Sequence, residues 1–334
     1  MHRLRHLLWL PVPFLLYWAL KDLQFRELFA NLRRLAPFQI AVLLAVNIIF
    51  VMIITLRWAV ILHGLGAPLS LFRLLGYRLA GYAVSYLTPG PQFGGEPLQL
   101  YLAKHNGKLS YDLGSASILL DKSFELLGNF TFLGIASLVI LPLGILGSGD
   151  WYAAIPVPSL LIALPASYLA AIFSGLRPLS RILARLPTVL HGRPGFQKTL
   201  ALIGSSETRM VAYCRRRGRT LLQILLFFLL VWIASLFEMR LVLHYLGISL
   251  SLRQALLVLA GIKVAFLLPF PGALGALELT CLGVFELLGY DPETAMSLVL
   301  YMRVRDLVFA AGGLAAAAGA WRRRKPINSQ SPRP

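Results

Sequence analysis

The sequence predicts an all-α, polytopic membrane protein with about six spanning helices and two re-entrant helical hairpins arranged as an inverted repeat. Three observations predict it. Apolar residues make up 57% of the 334 and charged residues only 14%, with a mean hydropathy of +0.72, where a soluble domain carries about a quarter charged residues. The apolar runs are continuous and rich in Leu and Ala rather than alternating, so in lipid, where the backbone must satisfy its own hydrogen bonds, they read as helices and not barrel strands. Two of the runs are too long for one span and are broken near the middle by Pro and Gly.

The elements follow in order. Leu7–Leu20 is short but follows Arg3 and Arg5 and runs into Lys21-Asp22 without a small-residue cleavage site, so it reads as a retained helix rather than a leader. The segment 21–37 spaces Leu23, Phe25, Leu28, Phe29, Leu32 and Leu35 as an interfacial amphipathic helix does. Phe38–Leu62, Leu113–Leu141, Trp151–Phe173, Leu221–Leu246 and Thr294–Ala320 are single spans of about 20 residues or more. Leu71–Ala103 and Ala255–Gly289 are the two hairpins. Trp9, Trp18, Trp58, Trp151 and Trp321 fall near span ends, as belt residues do.

Orientation comes from Lys and Arg. The loop 174–220 holds ten of them against one acid, Glu207, and the tail 321–334 opens with Arg322, Arg323, Arg324 and Lys325. The connections 142–150 and 290–293 carry only Asp150, Asp291 and Glu293. Basic segments belong in the cytoplasm, which puts both termini there and makes the chain a multi-pass protein of a cell membrane, of the bacterial plasma or inner-membrane kind. Residues 1–320 then form one transmembrane domain whose halves, about 1–150 and 151–320, have opposite orientation. Inverted repeats with broken helices meeting at the midplane are a recurrent transporter plan. The net charge of +18 lies in clusters between apolar runs, which suits anionic lipid headgroups and excludes nucleic acid as a partner.

The breaks carry the candidate chemistry. The first reads Pro89-Gly90-Pro91-Gln92-Phe93-Gly94-Gly95-Glu96, the second Pro271-Gly272-Ala273-Leu274-Gly275-Ala276-Leu277-Glu278. Each has a Glu at the same distance after its Pro, and each Glu precedes a span whose charges begin at an equal step, 96 to 121 and 278 to 303. Those charges are Asp121, Lys122 and Glu125 in the first half, and Arg303, Arg305 and Asp306 in the second. Lys263 is a further intramembrane cation. Pro and Gly open the helix and expose amides and carbonyls, and ionisable groups inside membranes mark pathways or pair to hold helices together. The six His show no metal-ligand spacing, no P-loop or catalytic motif is present, and no cofactor is called for. Cys214 and Cys281 do not support a disulfide framework. The stretch Ala310–Ala320 reads as a close-packing helix surface.

At Thr88-Pro89-Gly90…Gly94-Gly95-Glu96-Pro97-Leu98 with Asp121-Lys122, and at Leu268-Pro269…Pro271-Gly272…Gly275…Glu278 with Arg303, the chain resembles the lysylphosphatidylglycerol synthase transmembrane family, also called flippase-like or UPF0104. The resemblance covers about residues 5–320. It implies lipid movement across the bilayer, in a family sometimes fused to a soluble aminoacyl-transferase domain. That domain is not in this sequence, so lipid lysinylation by this chain alone is not expected. The family often has Arg three residues after the first Glu; here Gln99 stands there, so that if this Arg holds a lipid phosphate, either the substrate preference differs or Lys104 or Lys122 compensates.

The expectation is a flippase-like transporter, not an enzyme, with Arg303, Arg305, Lys122 and Lys263 engaging an anionic headgroup while Glu96 and Glu278 orient them or bind a proton. The competing expectations are a membrane enzyme modifying a lipid headgroup and a membrane subunit docking a soluble enzyme on 174–220. Self-association is a further partner class.

Overall fold

The computed structural model describes residues 36–88, 94–140, 156–185, 194–216 and 218–322. The readings made on 7–20, 21–35, Pro89, Gly90, 142–150 and the tail beyond Arg322 lie outside the described residues. The described residues form helices and no strand: α1 (Pro37–Gly64), α2 (Leu71–Leu87), α3 (Glu96–His105), α4 (Tyr111–Ile140), α5 (Pro156–Phe173), α6 (Pro178–Ala184), α7 (Pro194–Arg216), α8 (Gly218–Tyr245), α9 (Leu252–Leu267), α10 (Ala276–Leu287) and α11 (Pro292–Arg322). Among the described residues three helices, α1, α4 and most of α8, are long and apolar enough to cross a membrane. The pair α5–α6, bent by 98°, is a fourth if counted as one span.

Local sequence sets the ends of these helices twice over. α1 stops at Gly66 (φ 78°), where the Ala67 amide reaches back to the Leu62 carbonyl; α8 stops at Gly247 (φ 84°), where the Ile248 amide reaches back to Leu243. Both are left-handed C-terminal caps of the kind Gly allows. Ser70 then caps α2 and Ser251 caps α9, each accepting an amide three residues on. Behind this lies a repeat that the sequence reading passed over. The segments 62–71 and 243–252 share the pattern Leu-His-x-Leu-Gly-x-x-Leu-Ser-Leu.

Element lengths repeat with it: 28, 17, 10 and 30 residues for α1–α4 and 28, 16, 12 and 31 for α8–α11. Each overlong run has divided in two at its Pro-Gly segment, α2 packing on α3 and α9 on α10. The units interlock: α1 lies along α8, α2 along α11, and α9 along α4. α2 and α11 approach so closely that a Cβ on Gly313 would strike the Leu79 carbonyl. Between the units, α5 and α7 pack beside α4, and α6 packs on α7. Glu207 of α7, fully buried, accepts the Leu179 and Ser180 amides at the start of α6.

Burial is reversed relative to a soluble protein. Leu222, Leu226, Leu229 and Ile233 of α8 and Leu44 and Ile48 of α1 are exposed, while Arg57 and Asp121 are 1% and 5% exposed. Apolar surface outside and charge inside suits lipid as the surrounding medium. Trp58 corrects one expectation. It is buried, donates from Nε1 to Ser117 Oγ at 3.1 Å and lies under Arg78, so it faces the packed helices and not the surrounding medium as a belt residue would.

Candidate functional site

A cavity of about 340 Å³ lies between the two units, walled by α1, α2, α4, α8, α9, α11 and the second break. Of the residues chosen from sequence, Glu96, Lys122, Glu125, Lys263, Gly272, Arg305 and Asp306 line it. Gly94, Gly95, Asp121, Pro271, Gly275, Glu278 and Arg303 stand behind its lining, and Pro89 and Gly90 lie outside the described residues.

In the first unit the break is shaped by close approach. A Cβ on Gly95 would run into the Gly81 carbonyl of α2, so only Gly lets α3 begin there. The Gly95 amide donates to Ser85 Oγ at 2.9 Å and the Gly94 amide to Glu96 Oε2 at 2.8 Å. Glu96 Oε1 faces Lys122 Nζ at 3.5 Å, and Lys122 also holds Glu125 at 2.9 Å. Next to Lys122 in the chain, Asp121 receives Arg57 Nε and Arg78 Nη2, each at 2.7 Å. Arg78 Nη2 also donates to the Ile54 carbonyl at 3.0 Å. Two buried cations, Arg57 and Arg78, and the half-buried Lys122 thus face three carboxylates, which is how ionised groups survive away from water.

The second break uses the same device more tightly. Gly275 (φ 78°) opens α10, and its amide donates to Glu278 Oε2 at 2.8 Å. Arg303 clamps Glu278 Oε1 from Nε at 2.9 Å and Nη2 at 2.7 Å. Its remaining donors reach the Gly272 and Ala273 carbonyls and, at 3.3 Å, the Tyr86 hydroxyl of the first unit. Arg303 therefore satisfies carbonyls that the break leaves unpaired, a role backbone opened at depth requires. In both units, then, one oxygen of the break's Glu is held by a break glycine and the other by a cation of the long following helix. The pair is closed in the second unit and open to the cavity in the first.

Arg305 binds Glu238 at 2.7 Å and Asp306 at 2.9 Å. Glu238 Oε1 also accepts from Asn47 Nδ2 and the Tyr301 hydroxyl, both at 3.0 Å, joining α1, α8 and α11. Lys263 differs from the other cations of the cavity. Its Nζ donates to Asn129 Oδ1 at 2.9 Å, lies over the Phe132 ring, and among the described residues enters no salt bridge.

Arg57, Arg78, Asn47, Asn129 and Glu238 were missed in the sequence. A lone ionisable residue inside an apolar run was the available signal for Arg57, Arg78 and Glu238. Arg57 and Glu238 moreover stand at equivalent places in the repeat, each five positions before its shared Leu-His. In each unit this residue bridges the first helix to the last with its charge exchanged: Arg57 to Asp121 in one, and Glu238 to Arg305, two positions past the counterpart of Asp121, in the other. Gln99 lines the cavity and packs against Gly81; Lys122 lines it too, whereas Lys104 instead lies over the Tyr111 ring. Among the described residues no group of three or more His, Cys, Asp and Glu is placed to hold a metal.

Comparison with known proteins agrees with this architecture. A family model described as Lysylphosphatidylglycerol synthase TM region matches residues 12–313. A UPF0104 membrane protein of Methanothermobacter thermautotrophicus is 22% identical over 298 residues, covering 85% of this chain and 86% of its own length. A UPF0104 membrane protein of Pyrococcus horikoshii is 24% identical over 267 residues, covering 77% of this chain and 79% of its own. No solved structure matches the chain.

Proposed function

Because the chain belongs to the lysylphosphatidylglycerol synthase TM region family of membrane proteins, we propose that it translocates an amphiphile, a phospholipid or a lipid-linked sugar, across the bilayer. The observation that carries the reading is the cavity walled by both units, charged within and set in a bundle that is apolar without. Packing alone does not call for such a cavity. A charged headgroup crossing the hydrocarbon core does, since leaving it in lipid costs several kcal/mol.

In this reading the units 37–140 and 218–322 are inverted repeats and α2–α3 and α9–α10 are re-entrant hairpins. The sequence repeat at 62–71 and 243–252, the matched element lengths and the exchanged contacts of α2 and α9 support that assignment. With the basic region 174–220 and both termini in the cytoplasm, α1 and α8 cross in opposite directions, as inverted repeats require. The closed Glu278–Arg303 pair is the fixed side of the site. Glu96, sharing Lys122 with Glu125, is the side that rearranges when cargo enters.

The test is reconstitution of the full chain in vesicles containing acyl-chain-labelled phospholipid or a labelled lipid-linked sugar, with outer-leaflet label quenched over time. Translocation above protein-free vesicles, slowed about tenfold or more in Glu96→Gln, is expected. Protein-free rates for both cargo classes would remove the transport reading. An unchanged rate in Glu96→Gln would remove its gating role.

A further inference from the structure

The cavity has two electrically opposite walls, and each carries unused hydrogen-bonding atoms. On one wall Lys263 enters no salt bridge among the described residues, and Glu125, the carboxylate within its electrostatic reach, is already held by Lys122 and Arg57. The Asn129 side chain that steadies it accepts through Oδ1, leaving its Nδ2 without an acceptor among those residues. Two donors and one positive charge face the cavity there. On the other wall Glu238 and Asp306 share a single cation, Arg305. Glu238 spends only Oε1 on its partners, so its Oε2 accepts nothing among the described residues. Asp306 is 1% exposed, and its Oδ2 is a buried atom without a hydrogen bond of normal length. That wall has one negative charge in excess, a free acceptor in Glu238 Oε2, and in Asp306 Oδ2 a second acceptor with the Tyr82 hydroxyl beside it.

The walls stand at the same height. Arg57 of α1 meets Asp121 of α4, and the two helices run antiparallel, with Leu43 clustering with Phe132 and Ala136. Asn47, which binds Glu238, lies ten residues before Arg57, about 15 Å along α1. The same step along α4 from Asp121 ends between Asn129 and Phe132, the two residues that hold Lys263. Positive and negative walls therefore face each other across the cavity rather than lying at its two ends.

We propose that this is a site for a zwitterionic phosphodiester headgroup: Lys263 and Asn129 take the phosphate, and Glu238 with Asp306 take the ammonium group of the same headgroup, carried by a membrane phospholipid. An anionic headgroup would satisfy Lys263 and leave the Glu238–Asp306 wall unpaired, and unpaired buried groups are what sites discriminate by. A headgroup with both charges satisfies both walls and leaves the cavity neutral. The proposal rests on the reading of the cavity as a cargo site.

The test reads binding before transport. Purified full-length protein in mild detergent, offered equimolar phosphatidylethanolamine and phosphatidylglycerol, is examined by native mass spectrometry. Wild type is expected to retain phosphatidylethanolamine in preference. Glu238→Gln, which keeps the hydrogen bonds of Oε1 and removes the charge, should lower that preference about tenfold, one charge-assisted hydrogen bond. Asn129→Asp, which neutralises Lys263, should weaken both lipids alike. If Glu238→Gln does not fold, Asp306→Asn reads the same wall. Equal retention of the two lipids by wild type, or a preference unmoved in a folded Glu238→Gln or Asp306→Asn, overturns the proposal. Glycerophosphoethanolamine, the headgroup without chains, is the source control: retention as tight as that of the lipid would overturn the lipid assignment. Vesicles measured in parallel keep the two readings apart, because selective retention without translocation removes transport and leaves the site standing.

Discussion

Asp121→Asn is the perturbation that most directly separates charges that hold the bundle together from charges that serve a cargo. Asp121 accepts from Arg57 and Arg78, each at 2.7 Å, and the three side chains are only 8%, 2% and 10% exposed. Without the carboxylate, Arg57 has Glu125 at 3.7 Å and Arg78 has the Ile54 carbonyl. Removing one partner of a buried ion pair costs about 3–5 kcal/mol, and the Asn amide oxygen restores one hydrogen bond of about 1 kcal/mol. A net loss of about 2–4 kcal/mol corresponds to a fall in melting temperature on the order of 10 °C. Thermal loss of the monodisperse peak in size-exclusion chromatography reads it. Replacing the trio together, Arg57→Met, Arg78→Met and Asp121→Leu, should recover much of the stability, since apolar substitutes for a buried ionic cluster are near neutral. A melting shift of under about 2 °C for Asp121→Asn would refute the reasoning that two buried guanidiniums depend on this carboxylate.

Two further outcomes follow from the packing. Gly95→Ala places a Cβ against the Gly81 carbonyl, so it should abolish folded protein. Gly312→Ala, whose Cβ meets nothing within 4 Å, should express as wild type, and comparable yields of the two would refute the close approach of α2 and α3. Cys214, packed among α4, α5, α7 and α8, is 3% exposed and burial pushes its thiol up to about 12. Raised that far, the thiol is protonated at pH 8 and reacts as thiolate only near pH 12. In a Cys281→Ala background, a maleimide should therefore label it only after denaturation, and rapid native labelling would count against that packing.

Much of the site was written locally. The Pro-Gly breaks, the Glu that follows each Pro, and the charges at an equal step beyond each Glu could be read because each acts on its own stretch of backbone: opening a helix, capping the next, or sitting one helix along. The repeat at 62–71 and 243–252 was equally present and was passed over. It is short and lies at the junctions between the apolar runs that first draw the eye. Arg57 and Glu238 were legible as lone charges in apolar runs, but their partners were not. Arg57 meets Asp121 64 residues on, and Asn47 meets Glu238 191 residues on.

The sequence by itself determined the class of the protein. Continuous apolar runs must be helices in lipid, and Pro with Gly must break them. It also chose the intramembrane charges, because so few occur. Only the tertiary structure decided which of those charges are spent. The two breaks share Pro-Gly and a Glu at the same distance after the Pro, yet Arg303 is closed on Glu278 and on break carbonyls, whereas Lys122 is shared between Glu96 and Glu125 at the cavity. Lys263 reads in sequence like any other cation, and it enters no salt bridge among the described residues because its place on α9 faces an amide and a ring. Whether a charge is neutral or available depends on what stands within about 4 Å of it. That is a property of the packed helices, not of their order.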